Sequence, residues 1–139
     1  MANCIYAAFK EGLGNGAFAL GSDTLKCALL TGSHTPNAAH AVFADVAGHE
    51  ASGTGYVSGG ATLAGVSWGV SGASAALDAA DPSWPMATVT ARYAVVYAAK
   101  TIGGRVNPLI CLLDFSADKG VSGGTFSVVF DAAGILVLE

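Results

Sequence analysis

Residues 51–77 carry no charged side chain, and this stretch most limits what the chain can fold into. The run is long enough to cross a bilayer, but a spanning helix needs about 20 mostly apolar residues. Here large apolar side chains are few, and Gly, Ser, Thr and Ala fill most positions. We therefore expect no membrane span and interpret TLAGVSWGV (62–70) and SAALDAA (74–80) as strands around a Ser-Gly turn.

Two other segments alternate in the way that strands do. TLKCALLT (24–31) predicts a half-buried strand, with Leu25, Cys27 and Leu29 on one face and Lys26 on the other. TVTARYAVVY (88–97) is the clearest strand, because apolar residues and threonines alternate along it.

The remaining strand signals complete an all-β pattern. PLICLLDF (108–115) is apolar on both faces until Asp114, which indicates a central strand. TFSVVF (125–130) and GILVLE (134–139) are separated by a short turn and predict a closing hairpin. Regular short strands with glycine-rich turns indicate an all-β domain over residues 1–139, mainly an antiparallel β-sandwich or jelly-roll-like barrel.

A short helix is expected before the first strand. Ile5, Phe9 and Leu13 recur at helical spacing and form one apolar stripe. Asn3 is placed to cap the start of this helix, and Gly14 or Gly16 is placed to end it. The fold class is therefore all-β with a short N-terminal helix.

The charge content indicates a surface that other protein covers. Charged residues make up 12% of the chain, against about 25% in typical soluble domains. The mean hydropathy is +0.54, and the formal net charge is −4 without any run of Lys or Arg. We expect no nucleic-acid partner, because the basic footprint that phosphates require is missing.

Three cysteines, Cys4, Cys27 and Cys111, stand far apart. An odd count without a C-x-x-C pair predicts neither a zinc site nor a disulfide framework. Cys27 and Cys111 lie inside apolar strand patterns and are interpreted as buried free thiols.

GVSWG (65–69) fits the G-x-S-x-G pattern of serine hydrolases. His34, His40 and His49 all precede Ser67, and no helix pattern follows it, so we expect no catalytic serine. The histidines match no zinc spacing and are interpreted as solvated loop residues. We predict no catalytic, cofactor-binding or metal-binding residue, and no enzymatic activity.

Four segments in a fixed order carry a resemblance to a known family: ALLTGSHTP, SGTGYVSGGATLAG, ARYAVVY and FDAAGILVL. In this order the chain resembles a family of small structural proteins of tailed bacteriophages, and the likeness spans almost its full length. The resemblance implies a virion component without catalytic residues, most closely a capsid decoration or cement protein.

The resemblance also implies partners and a location. The expected partners are the major capsid protein and other copies of this chain, on the capsid surface after assembly in the host cytoplasm. The alternatives are a neck or tail component, or a virion module that binds a host receptor or glycan. A glycan-binding module would need an exposed aromatic side chain and a pocket lined by Asp or Asn. Trp68 and Trp84 are the candidates, but both are interpreted more naturally as core or turn packing.

The uncharged stretch contains the predicted contact segment. Its glycines allow tight turns, bulges or close approach to another chain, and its tyrosine offers one amphipathic anchor. The candidate protein–protein interface therefore consists of Gly53, Gly55, Tyr56, Gly59 and Gly60.

Overall fold

The computed structural model describes residues 4–138, and within them the chain is mainly antiparallel strand with one short α-helix, α1 (Ala7–Gly14). The predicted fold class, all-β with a short N-terminal helix, is confirmed. The strands are β1 (Cys4–Ile5), β2 (Leu25–Leu30), β3 (Ala61–Thr62), β4 (Ser67–Ser71), β5 (Ser74–Asp78), β6 (Ser83–Ala98), β7 (Thr101–Ile102), β8 (Arg105–Val106), β9 (Leu109–Ser127) and β10 (Leu136–Leu138).

The helix follows only part of its predicted stripe. Phe9 is buried and Leu13 packs against the core, as expected. Ile5 instead lies in β1, where it pairs with β9. The predicted cap, Asn3, lies outside the described residues, and Tyr6 precedes the helix without a side-chain capping hydrogen bond.

A five-stranded antiparallel sheet with the order β1-β9-β6-β2-β3 forms the larger layer. Its longest ladder joins β6 to β9, and the small β7–β8 hairpin lies between these two strands in the chain. The alternation predicted for residues 88–97 is confirmed at its start, where Val89 and Ala91 are buried and Thr88 and Thr90 are exposed. From Tyr93 to Ala98 every residue of β6 is buried, because the strand lies at the centre of the sheet.

The prediction of a half-buried first strand is wrong in part. Ala28 and Leu30 are as fully buried in β2 as Leu25, Cys27 and Leu29, so both faces of the strand are covered. The interior assignment of PLICLLDF is confirmed, since Leu109–Leu113 of β9 are buried between β1 and β6.

The predicted closing hairpin is wrong. Residues 125–127 end β9 and pair with β6, whereas β10 pairs with β5 in a second, three-stranded sheet with the order β10-β5-β4. The Val128 N–H donates to the Pro82 carbonyl, and the Ile135 N–H donates to the Leu77 carbonyl at 2.6 Å. The segment between them therefore carries the chain from one sheet to the other instead of folding it back.

Both sheets contribute to one hydrophobic core. Leu77 and Leu136 of the smaller sheet are fully buried in the same cluster as β2, β6 and β9. Cys27 and Cys111 are fully buried there as free thiols, as predicted. Burial raises the pKa of Cys27 to about 12, so this thiol stays protonated at neutral pH.

Candidate functional site

The predicted contact segment lies against its own sheet. The Thr88 N–H donates to the Thr54 carbonyl at 2.9 Å, which attaches the segment to β6. A Cβ atom added at Gly53 would collide with the carbonyl oxygen of Thr88, and one at Gly60 would collide with that of Cys27. These glycines therefore permit close packing within the chain. Whether the exposed side of the segment also meets another chain stays a prediction.

Tyr56, the predicted amphipathic anchor of this segment, contacts its own chain. Its side chain is only 9% exposed. The phenol oxygen accepts a hydrogen bond from the Leu29 N–H at 3.0 Å and donates one to Oε2 of Glu50 at 2.6 Å. A tyrosine in an uncharged, glycine-rich run suggests a surface contact, but here it attaches the loop to β2.

The Glu50 carboxylate organises this loop. Besides Tyr56, it accepts hydrogen bonds from the Ser58 hydroxyl at 2.9 Å and from the Gly59 N–H at 2.7 Å. The Tyr97 hydroxyl donates to the Gly59 carbonyl at 2.6 Å. Burial first, and then the hydrogen bond to Glu50, raises the pKa of Tyr56. Burial raises the pKa of Tyr97 to about 12, so both phenols remain protonated donors at neutral pH.

The serine of the G-x-S-x-G pattern does not have the setting of a nucleophile. Ser67 begins β4 and pairs with Asp78 of β5, and the next element is a strand. A hydrolase serine of this type needs a sharp turn from a strand into a helix. The pattern is therefore satisfied by an ordinary hairpin strand.

The histidines form a cluster that the sequence did not reveal. His34 was interpreted as solvated, but it is 4% exposed. Its ring centroid lies 5.8 Å from that of His40, 5.6 Å from that of His49 and 5.7 Å from that of Tyr93. Burial lowers the pKa of His34, and charge on the other two histidines would lower it further. Among residues 4–138, no group of three or more His, Cys, Asp or Glu side chains is arranged to hold a metal ion.

Neither tryptophan is an open platform for a sugar. Trp84 is buried between Tyr56 and Phe126, with ring centroids 5.7 and 6.2 Å away. Trp68 is half-buried and packs against the core. The aromatic surface expected of a glycan-binding module is therefore not provided by these two side chains.

An apolar groove runs along β9, and the sequence did not predict it. It encloses about 500 Å³ and is lined by Phe115, Lys119, Gly120, Val121, Thr125, Phe126, Ser127, Val128 and Val129. The signal was the alternation of TFSVVF, which we assigned to a hairpin. Phe126 and Val128 of this segment are buried in the core, whereas Val129 between Val128 and Phe130 is exposed to solvent.

A bulge in β9 shapes one end of this groove. Ala91 and Tyr93 of β6 pair with Lys119 and Asp114, so residues 115–118 of β9 are inserted opposite a single residue of β6. The Asp114 carboxylate accepts the N–H of Ser116, whose φ is +67°. Bulges redirect side chains and interrupt pairing, and this one lies beside Phe115, a residue of the groove wall.

Among residues 4–138, no helix is both long and apolar enough to cross a membrane. Comparison with protein-family models finds no match, and neither curated proteins nor solved structures show one. The resemblance to phage structural proteins stays a prediction.

Proposed function

We propose that the chain is a structural protein of a tailed-bacteriophage virion, acting as a capsid decoration or cement protein that bridges major capsid subunits and associates with its own copies. The assignment to phage structural proteins rests on the resemblance in sequence. The apolar groove of β9 is the structural observation that supports a protein-binding role.

The groove suits a protein partner better than a small charged ligand. Among the described residues, its wall combines two phenylalanines with three valines, and Lys119 is the only charged side chain. Fully buried parts of protein interfaces are depleted in charge and enriched in aromatic side chains. Val129 is 77% exposed beside them, which leaves apolar area uncovered in the isolated chain.

The strand beside the groove also offers backbone groups. Along Lys119–Ser127, β9 pairs with β6 on one side, and within residues 4–138 no strand pairs with its other side. An unpaired edge next to an apolar groove can bind an extended segment of a partner by strand addition. Many modest contacts of this kind, repeated over a symmetric shell, reinforce it through avidity.

The copy number in purified particles tests the proposal. Quantitative peptide mass spectrometry would measure this chain against the major capsid protein. We expect a high copy number in a fixed ratio to that protein, as bridging at each equivalent position requires. A few copies per particle would instead indicate the neck or tail alternative. Absence from particles would contradict a virion role.

A variant pair tests the groove as the binding surface. Val129→Lys places a charge in the apolar wall, and we expect it to reduce binding to particles that lack the protein by at least tenfold. Val57→Lys is the control, because Val57 is similarly exposed but is not part of the groove. Equal binding by both variants would show that the groove is not the surface used.

A further inference from the structure

The strand β4 is an open edge of the smaller sheet. It pairs with β5 on one side, and within the described part of the chain no strand pairs with its other side. All of its residues except Trp68 are exposed, and Val70 is 81% exposed. The strand contains no charged residue and no proline. Charged side chains and proline are features by which proteins usually protect such edges from pairing with another chain, and β4 lacks both.

The hairpin geometry fixes which backbone groups face outward. Ser71 pairs with Ser74 across a two-residue turn whose first residue, Gly72, has φ +62°. In such a hairpin the residues next to the turn exchange hydrogen bonds, and bonded and non-bonded pairs then alternate. Ser71, Gly69 and Ser67 therefore bond to β5. The N–H and C=O groups of Trp68 and Val70 point to the open edge.

The sequence of β4 is nearly palindromic. It reads Ser-Trp-Gly-Val-Ser about Gly69. If a second copy lies antiparallel with its Gly69 opposite this one, Trp68 of each copy faces Val70 of the other. These are the two positions whose backbone groups point outward, so each pair can exchange both hydrogen bonds. Aromatic and β-branched residues are also a favourable cross-strand pair.

We propose that two copies of this chain pair through β4, antiparallel about a two-fold axis at Gly69. A two-fold interface must be complementary to itself, and here Trp68 of each copy meets Val70 of the other in a register that the hydrogen-bonding pattern of the hairpin allows. The two three-stranded sheets then become one continuous sheet. The inference rests on the self-association part of the proposed function, but it does not depend on binding to a capsid.

The pairing is expected to be weak in solution. Five residues of one strand bury much less than the roughly 1,200–2,000 Å² of a stable interface. Dimers should therefore appear only at high protein concentration. On a shell that already holds many copies close together, the same contact would be populated through effective concentration.

Sedimentation velocity of the purified chain over a wide concentration range tests the surface. We expect the sedimentation coefficient of the unchanged protein to rise with concentration, and that of Val70→Lys to stay at the monomer value. Val57→Lys is the matched control, because Val57 is a similarly exposed valine outside both β4 and the β9 groove, and it should associate like the unchanged protein. Val129→Lys reports whether the groove is used for self-association instead. Circular dichroism and thermal unfolding would verify that each variant is folded.

Cross-linking tests the register. Gly69→Cys places a thiol on the axis, in a non-bonded pair whose Cα atoms lie about 4.5 Å apart, within disulfide range. A Cβ at Gly69 meets no atom within 4 Å, so the substitution fits the fold. With copper phenanthroline as the oxidant, two thiols lose two electrons and two protons to form one disulfide between copies. The control is Val57→Cys, and Cys4→Ser removes the more accessible native thiol from both proteins.

The outcomes separate the possibilities. Rapid cross-linking of Gly69→Cys but not of Val57→Cys, together with loss of association in Val70→Lys, supports the pairing. Association that is lost in Val129→Lys instead would place the contact in the groove and overturn the proposal. A protein that stays monomeric at every concentration and does not cross-link would overturn it too. Neither result depends on whether the chain is found in virions.

Discussion

The Tyr56 hydroxyl donates a 2.6 Å hydrogen bond to Oε2 of Glu50 and accepts one from the Leu29 N–H. One phenol oxygen thus satisfies a buried backbone group of β2 and a half-buried carboxylate of the loop. The segment that was expected to face another protein is in this way attached to the sheet of its own chain.

Removing this hydroxyl should destabilise the fold. Tyr56→Phe keeps the ring against Trp84 but leaves the Leu29 N–H without its acceptor. An unsatisfied buried polar group costs about 1–3 kcal/mol, and we expect a loss of that size in the free energy of unfolding from urea denaturation. Ser58→Ala is the control, because it removes a more exposed hydrogen bond to the same carboxylate and should cost less than about 1 kcal/mol. Equal losses would show that Tyr56 has no special role.

Gly60 should be the least replaceable glycine of the loop. Its φ is +82°, and an added Cβ would collide with the Cys27 carbonyl, so Gly60→Ala combines backbone strain with a clash. We expect a loss of about 2–4 kcal/mol in thermal or urea unfolding. Gly14→Ala, at the end of α1, meets no atom within 4 Å and should leave stability unchanged or raise it by up to about 1 kcal/mol.

The buried His34 should make stability depend on pH. Its pKa is lowered from 6.5 by burial and by His40 and His49, so the unfolded chain takes up a proton more readily. Neutral His34 makes its full contribution to the free energy of unfolding well above pH 6.5, and this contribution is lost as the pH falls below that value. One proton accounts for at most about 1.4 kcal/mol per pH unit.

Urea unfolding of His34→Gln and His49→Gln between neutral and mildly acidic pH shows which histidine makes the free energy of unfolding depend on pH. The His34 variant should have a flatter profile than the unchanged protein, whereas the exposed His49 should matter less. Asp45, whose pKa is lowered by the N–H groups of Ala41 and Val42, loses its contribution only in more acidic solution. A profile that His49→Gln flattens more than His34→Gln would contradict the assignment to His34.

The ion pair between Lys100 and Asp23 should matter more than the exposed pairs. The two side chains meet at 2.8 Å and are largely buried, and the ammonium group also donates to the Ala17 carbonyl at 2.5 Å. Lys100→Met should therefore lower the free energy of unfolding by about 1–3 kcal/mol. Arg105→Met breaks a more exposed pair with Glu11 at 3.5 Å and should cost less than about 1 kcal/mol.

The parts of the fold that the sequence predicted are those set by local chemistry. Alternation located β6, and the Ser-Gly turn located the β4–β5 hairpin. The same reasoning failed at residues 125–138, because alternation shows that a segment is a strand but not which strand it pairs with. The partners of β9 and β10 are distant in sequence, and only tertiary packing selects them.

The candidate surfaces were harder to predict. For Tyr56, composition suggested an amphipathic anchor for another chain, but its acceptor Glu50 and its donor Leu29 meet only through the path of the loop across β2. The histidine cluster was missed for a similar reason, since nothing in the spacing of His34, His40 and His49 shows that their rings converge. The β9 groove depends on a bulge at residues 115–118, which no periodic pattern describes.

The pairing of β10 with β5 has a consequence for biosynthesis. The β4–β5 hairpin is local and can form early, but its third strand is made only after the whole of β6 and β9. Until then the β5 edge of the hairpin, which β10 covers in the folded chain, is open as well as the β4 edge. The smaller sheet is therefore completed last, although its hairpin precedes the two longest strands in the chain.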